Sequence, residues 1–576
     1  MMLTQRMKRF LVSLLCCVVA VSSGMLRAQD GPQEVTLSGS LQTDMLFPEV
    51  DTLIGTPDHY DANFLSNTFL DLTLNSQYVT AGARLELLNN PLPGFENAYA
   101  GAGIPHFYVA GRYKMAELTV GDFYEQFGSG FILRSYEDRP LAIDNALRGA
   151  RLSVNPYKGI RIKALGGMQR KYWNFNSSNG FGFDYTKGAV MGADLELSFE
   201  EWIPKMMEND YRLLFGASYV SKYEPEEDIY FGNEDGLQRL NLPEFVGAAD
   251  FRISFSKGGW NVLAEYAYKA NDPSFDNDYI YKPGSAVMLS ASYSQRGMSF
   301  LLQAKRSDNM SFRSTRTQYG SAAFINNLPA FSMTHTYALA AMYPYATRPD
   351  GEWAFQAEAR YNFKRGTPLG GKYGTNTRVT ASYIHSLKKE WIRGVDEIYQ
   401  GTEGYTSPFF GFGDDVYYLD VNVEISKKLH RTFQFTAMYM YQIYNQAVVE
   451  GHAYKPELGD LVKSNIAILE MTYKPISKVG MRMELQYLHT KQDRGQWVYG
   501  LYELSLFHNL MIEISDMYNI DETKQHYYKA SVAYSWGAHR VQVAYGRTRA
   551  GYNCSGGVCR YVPASKGLTV SYNVNF

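Results

Sequence analysis

Charged side chains crowd one Gly-rich stretch of this chain, Asp122 to Asn145, where Glu125, Arg134, Glu137, Asp138 and Arg139 occur together and Arg151 follows shortly after. If that stretch folds into a water-filled lumen, opposite charges facing each other there form a constriction that screens solutes by charge and dipole. The alternative is a surface loop whose charges are only solvated. Cys554 and Cys559 bracket Ser-Gly-Gly-Val and most simply close a disulfide across one loop, because a metal site needs more ligands than this stretch offers. Enzyme chemistry has little support: His106, His452 and His526 carry no accompanying signature, and neither G-x-S-x-G nor H-E-x-x-H occurs. We therefore expect no catalytic residue, no cofactor and no metal.

The elements flanking the charged stretch show what must position it. Glu117 to Gly121 and Ala150 to Val154 alternate apolar with polar or tiny residues, as a strand with one greasy and one wet face does. The same pattern recurs along nearly the whole chain, with connections alternating between tight turns such as Ser256-Lys-Gly-Gly259 and long polar stretches such as Lys222 to Phe245. This predicts an all-β fold: a single large antiparallel transmembrane β-barrel of about 22–26 strands, with short periplasmic turns and long extracellular loops. Twenty-five candidate strands can be traced, including Thr336 to Tyr343, whereas a barrel with both ends in the periplasm needs an even number. One strand is thus missed or invented, and Ser307 to Val416 is the stretch where that is expected.

Met481, Met483, Leu485 and Tyr487 should face lipid, while Arg482, Glu484 and Gln486 between them should face the lumen. Parity also turns Arg252, Glu265, Lys269 and Glu424 inward. A charge on the lipid side would cost ~2–4 kcal/mol at mid-depth.

Length and composition agree with a barrel. The 576 residues show no break that would divide them into domains, and mean hydropathy is −0.30, which alternation permits in a spanning protein. Residues 1–28 read as a signal peptide: Arg6, Lys8 and Arg9 precede the apolar run Phe10 to Val21, and the cut is expected after Ala28. Residues 29–34 form a short N-terminal segment, too short for a large N-terminal plug, and 35–576 form the barrel. Cleavage leaves 52 basic against 58 acidic residues, which argues against nucleic acid as a partner.

The chain stops on Leu568-Thr-Val-Ser-Tyr-Asn-Val-Asn-Phe576, whose apolar residues share one face. Tyr572 and Phe576 there look like the C-terminal signal that the barrel assembly machinery reads. This strand descends to the periplasm, so the Cys554 to Cys559 loop must lie outside the cell.

Several stretches resemble one family of outer-membrane barrels from Bacteroidota known as a domain of unknown function. They include Val120-Gly-Asp-Phe-Tyr-Glu-Gln-Phe-Gly-Ser-Gly130, Arg134-Ser-Tyr-Glu-Asp138, Asp144-Asn-Ala-Leu-Arg-Gly149, Gly370-Gly-Lys-Tyr-Gly374 and Cys554-Ser-Gly-Gly-Val-Cys-Arg-Tyr-Val-Pro-Ala-Ser565. The resemblance implies a Gram-negative outer-membrane barrel and no activity. In form, the loop from Asp122 to Asn145, between the fifth and sixth strands, is similar to the infolded loop of general diffusion porins. The expected function is a porin-like channel for passive or weakly selective passage of small solutes. The alternative is a non-conducting scaffold or receptor, for instance in an envelope protein-secretion apparatus. The expected partners are outer-membrane lipid and lipopolysaccharide, the barrel assembly machinery, small solutes and, for a scaffold, an envelope protein.

Overall fold

A computed structural model describes residues 35–95, 99–176, 182–233, 236–318, 322–392, 400–450, 461–555 and 558–576. The expected signal peptide, the segment 29–34 and His452 lie outside them. Among the described residues no helix is long and apolar enough to cross a membrane, and the crossing is made by strands.

One antiparallel sheet closes on itself into a barrel of 24 strands. The short piece Gly182–Tyr185 and the strand Ala189–Ser198 both pair with Ile160–Asn176, so they form one stave. Neighbouring staves are consecutive in sequence, and the last, Ser565–Asn575, pairs with the first, Thr36–Pro48, from Ser40 opposite Asn575 to Pro48 opposite Gly567. Closure leaves no open edge, as lipid requires, because an unpaired backbone group has no water there to bond.

The expected faces are present. On the strand Met298–Asp308, Phe300 and Leu302 are 45% and 63% exposed on the outside, while Lys305 is fully buried inside. On Val479–His489, Met483, Leu485 and Tyr487 stand outward, and Glu484 and Gln486 are buried inward. Trp260 and Tyr293, with ring centres 4.8 Å apart at the turn end, lie where an interfacial aromatic girdle is expected. Short joints gather at that end, and Gly159, Gly258, Gly297 and Gly537 all have positive φ there, as tight hairpins demand.

The expected strand without a counterpart is Thr336 to Tyr343. Its segment turns on itself, with Ala341 N–H bonding to the Tyr337 carbonyl, and buries Leu339 with Ala340 and Met342 with Tyr343. It pairs with no strand of the sheet, and its Leu339 N–H bonds to the inward side chain of Gln486, so the segment lies inside the barrel.

The seam ends on the terminal residue. Gly39 and Phe576 exchange backbone bonds of 2.7 and 2.9 Å, and the Phe576 ring sits where a Cβ on Gly39 would lie, 2.7 Å from Cζ. Leu41, Leu70 and Val574 pack there with Tyr572 and Phe576. Phe576→Ala should therefore weaken the seam by about 1–3 kcal/mol, less than for a fully enclosed Phe, and Gly39→Val should do at least as much. The readout is the urea midpoint of the heat-modifiable band on gels; midpoints equal to wild type would contradict the seam's role.

Candidate functional site

The chain fills its own lumen. The loop between Ala116–Phe123 and Leu147–Tyr157 leaves the wall at the loop end and turns inward. Asp138 caps a short 3-10 turn, accepting from the Leu141 N–H at 3.1 Å, and its neighbours tie the loop to the first staves. Arg139 bonds Asp71 at 2.8 Å and Gln42 at 3.0 Å, and its guanidinium lies 4.3 Å from the centre of the Phe69 ring. Glu137 joins Arg139 at 2.6 Å and Arg84 at 2.8 Å. Glu125 meets Lys163 at 2.8 Å and Arg151 at 3.4 Å, so these charges touch rather than face each other across a gap. Arg134 stands apart from them, over the Tyr136 ring at 4.7 Å.

The tip of the loop crosses to a distant stave. Gly128 and Gly130 have positive φ, and a Cβ on Gly128 would lie 2.5 Å from Glu265 Oε1. Ser129 then donates to Glu265 through its N–H at 2.8 Å and its hydroxyl at 2.5 Å.

A second, longer segment, 309–350, completes the filling. It joins Met298–Asp308 to Gly351–Phe363, and its described residues, 309–318 and 322–350, run inside the barrel. Three fully buried wall lysines donate to its backbone: Lys222 to the Arg313 carbonyl at 2.8 Å, Lys269 to Ser311 at 2.5 Å and Lys305 to Pro329 at 2.6 Å. Two of these charges are answered by nearby carboxylates, Lys222 by Asp272 at 2.8 Å and Lys305 by Glu352 at 2.8 Å. Further along, His335 meets Asp420 at 2.5 Å, the Leu339 N–H donates to Gln486 at 2.8 Å, and Tyr343 donates to Asp493 at 2.8 Å. Burial, reinforced by Glu352, pushes the Tyr345 hydroxyl well above its usual value, so it remains a donor to that carboxylate.

The two infolded pieces bond to each other. Asn326 donates to the Phe131 carbonyl at 2.8 Å and the Arg134 N–H to Ile325 at 2.8 Å. Phe127, Phe131, Leu133, Phe312, Phe331 and Leu339 form one apolar cluster with wall residues from Leu147 to Trp497. Together they make a septum of infolded chain within the loop end of the lumen.

Among these segments and the neighbouring outer loops is a cavity of about 720 Å³, lined by Asn326, Arg348 and Asp350 of the infolded chain and by Phe275, Asp278 and Lys389 of other loops. At the turn end another, of about 450 Å³, is lined by the inward residues Ser299, Arg360, Arg378 and Glu424. Cys554 and Cys559 form a disulfide in the hairpin Gly551–Val562, where Arg560 donates to the Leu141 carbonyl at 3.1 Å. Among the described residues no group of His, Cys, Asp and Glu could hold a metal ion. Lys222, Lys305 and Asp420 were not singled out in the sequence, although parity alone turns them inward, as it did Lys269.

A closed antiparallel cylinder, apolar outside and filled inside by its own charged and apolar loops, defines an outer-membrane β-barrel protein of the bacterial envelope. The chain belongs to the Family of unknown function (DUF6029), whose model matches residues 7–576. No curated protein matches it. Among solved structures it is similar to OccAB3 of Acinetobacter baumannii, with 10% identity, coverage of 94% of this chain and 100% of that one, and a TM-score of 0.35. A mutant of the ferric enterobactin receptor PfeA of Pseudomonas aeruginosa matches with 8% identity, coverage of 94% and 80%, and a TM-score of 0.43. The P pilus usher (PapC) translocation pore matches with 9% identity, coverage of 94% and 99%, and a TM-score of 0.38.

Lys305→Met would leave the buried Glu352 carboxylate without its cation, held by the Tyr345 hydroxyl and the Arg348 N–H alone, at a local cost of up to about 3–5 kcal/mol. Amide hydrogen exchange within 309–350 should accelerate while exchange in the wall strands stays slow. Unchanged protection near Pro329 would show that the lysine does not hold the segment.

Proposed function

We propose that this protein is a porin-like channel for small solutes whose conduction is set by the infolded segment 309–350. The observation that carries this reading is the contrast between the two ends of the lumen: the loop end holds the infolded segments, while the turn end keeps a cavity lined by charged wall residues. A cylinder of this size encloses more space than inward side chains can fill; porins of 16–18 strands already hold an aqueous channel. What occupies the loop end of the lumen is chain that belongs to loops, not to the wall.

Glu125, Arg134, Glu137, Asp138, Arg139 and Arg151 act in this reading as the constriction's frame. Most of them fix the loop against the first seven staves by ion pairs, and their charge gives the narrowed side its selectivity. Residues 1–28 direct export, and Tyr572 and Phe576 present the assembly signal. The second reading, a non-conducting scaffold or receptor, is favoured by one observation: the outer lumen is packed with buried side chains such as Phe131 and Leu339.

Asp308 pairs directly with Gly351, so a short turn can replace 309–350 without disturbing the wall. In planar bilayers the wild-type protein should give small or rare steps. The replacement, once shown to be heat-modifiable, should give steps at least about tenfold larger, as an unplugged barrel of this width would. Sealed bilayers from the folded replacement would remove the channel reading and leave the scaffold.

A further inference from the structure

The outer cavity has one charged group that the protein itself leaves unanswered. Its cations are all engaged: Arg313 with Asp276 at 2.5 Å, Arg348 with Asp350 at 3.2 Å, and Lys389 with Asp350 at 3.6 Å and over the Tyr405 ring at 4.6 Å. Asp278 lines the same cavity, half-buried, and its carboxylate has no ion pair or hydrogen bond among the described residues. Burial, then the charge of Asp350, pushes that carboxyl above its ordinary value, with Lys389 pulling the other way.

The segment that carries Asp278 is strained and held. Asp278 and Tyr279 have φ of 51° and 57°, two consecutive non-glycine residues in the left-handed region. Such strain persists only where the surroundings enforce it, and it gathers at ligand clamps. Here a capping box closes on Ser274 and Asn277, and the Asn277 amide donates to Asn309 at 3.1 Å. Tyr281 N–H and the Tyr279 carbonyl are bonded to the backbone of Thr402 and Gly401 at 2.7 and 3.1 Å. A fixed frame thus holds the carboxylate at a cavity that Phe275, Tyr417 and Tyr552 also line.

We propose that this cavity binds a small organic cation, one ammonium group on an apolar or aromatic body, with Asp278 as counter-ion and Phe275, Tyr417 and Tyr552 as the surfaces its body packs against. The cavity, about 720 Å³, is within the usual range for small-molecule sites. An ammonium placed there meets a carboxylate that lacks a partner and rings whose faces attract cations. An anion would have to displace Asp350 from Arg348 and Lys389 and would then lie near the unpaired Asp278.

The test uses three probes with one body and different charge: phenethylamine, its N-acetyl derivative and phenylacetate, titrated calorimetrically into the purified, detergent-solubilised protein. Phenethylamine should bind at least about tenfold more tightly than N-acetylphenethylamine, a difference of ~1.4 kcal/mol. Asp278→Asn, nearly isosteric and checked for heat-modifiable mobility, should erase that preference while leaving the N-acetyl compound unaffected. Lys389→Met, which removes the nearest competing cation, should widen it. Equal binding of the three, preference for phenylacetate, no binding at millimolar concentration, or an undiminished preference in Asp278→Asn would each overturn the proposal. The readout is binding alone, so its failure leaves the channel reading standing, and sealed bilayers would leave this site standing.

Discussion

Lipid offers no partner for a peptide N–H or C=O, and that constraint governs this molecule. Each stave can exist only beside two others, so the sheet must close, and the closure falls between the first and last strands of the chain. In the wall, the seam is where strands from opposite ends of the sequence must find each other without a hairpin to guide them. Its chemistry suits that pairing, because a glycine backbone leaves room for an aromatic ring and the terminal residue itself supplies both the ring and the last backbone pair. The device resembles the shielding of edge glycines by aromatic side chains in other sheets.

Closure at this strand number creates the second constraint. A small barrel is filled by its inward side chains, whereas this one is wide enough that its lumen must hold water or protein. The chain uses protein on the loop side and leaves the turn side lined by Arg360, Arg378 and Glu424. The infolded loops bring their own apolar core, so the barrel has an outer hydrophobic face toward lipid and an inner one facing itself. Between the two runs the wall, one residue thick, with charges such as Lys222, Lys269 and Lys305 on its inner side.

These two layers differ in how visibly they are written in the sequence. The wall follows from alternation, since each strand needs only its own residues to reveal which face is wet; Trp260–Lys269 is bounded in the structure by the same residues that the pattern marks. The septum follows no period. Thr336 to Tyr343 imitates a strand because Tyr337, Leu339 and Ala341 are apolar at alternate positions, yet Ala340 and Met342 are buried as well. A segment enclosed on all sides has no solvent face to interrupt its apolar run, so periodicity cannot identify it. The charged loop was legible as a loop at the right place, but its partners, Asp71, Arg84 and Gln42, lie on other staves and follow only from register. Asp278 was beyond reach, because nothing in its sequence context shows which side chains the fold brings near it.

The bonds that fix the septum are of two kinds, and they respond differently to separation. Phe131, Leu133, Phe312 and Leu339 lose their burial if the segment leaves the wall, at ~25 cal/mol for each Å² returned to water. The lysine-to-carbonyl bonds are exchanged for bonds to water, so each contributes only about 1.5–3 kcal/mol net. The apolar cluster therefore sets how tightly the segment holds, and the lysines set where it sits: a carbonyl misplaced by one residue would cost a buried ammonium group one of its acceptors. Were the wall at these positions apolar, the segment could slide. With Lys222, Lys269 and Lys305 fixing three carbonyls along one segment, it has one register against the wall.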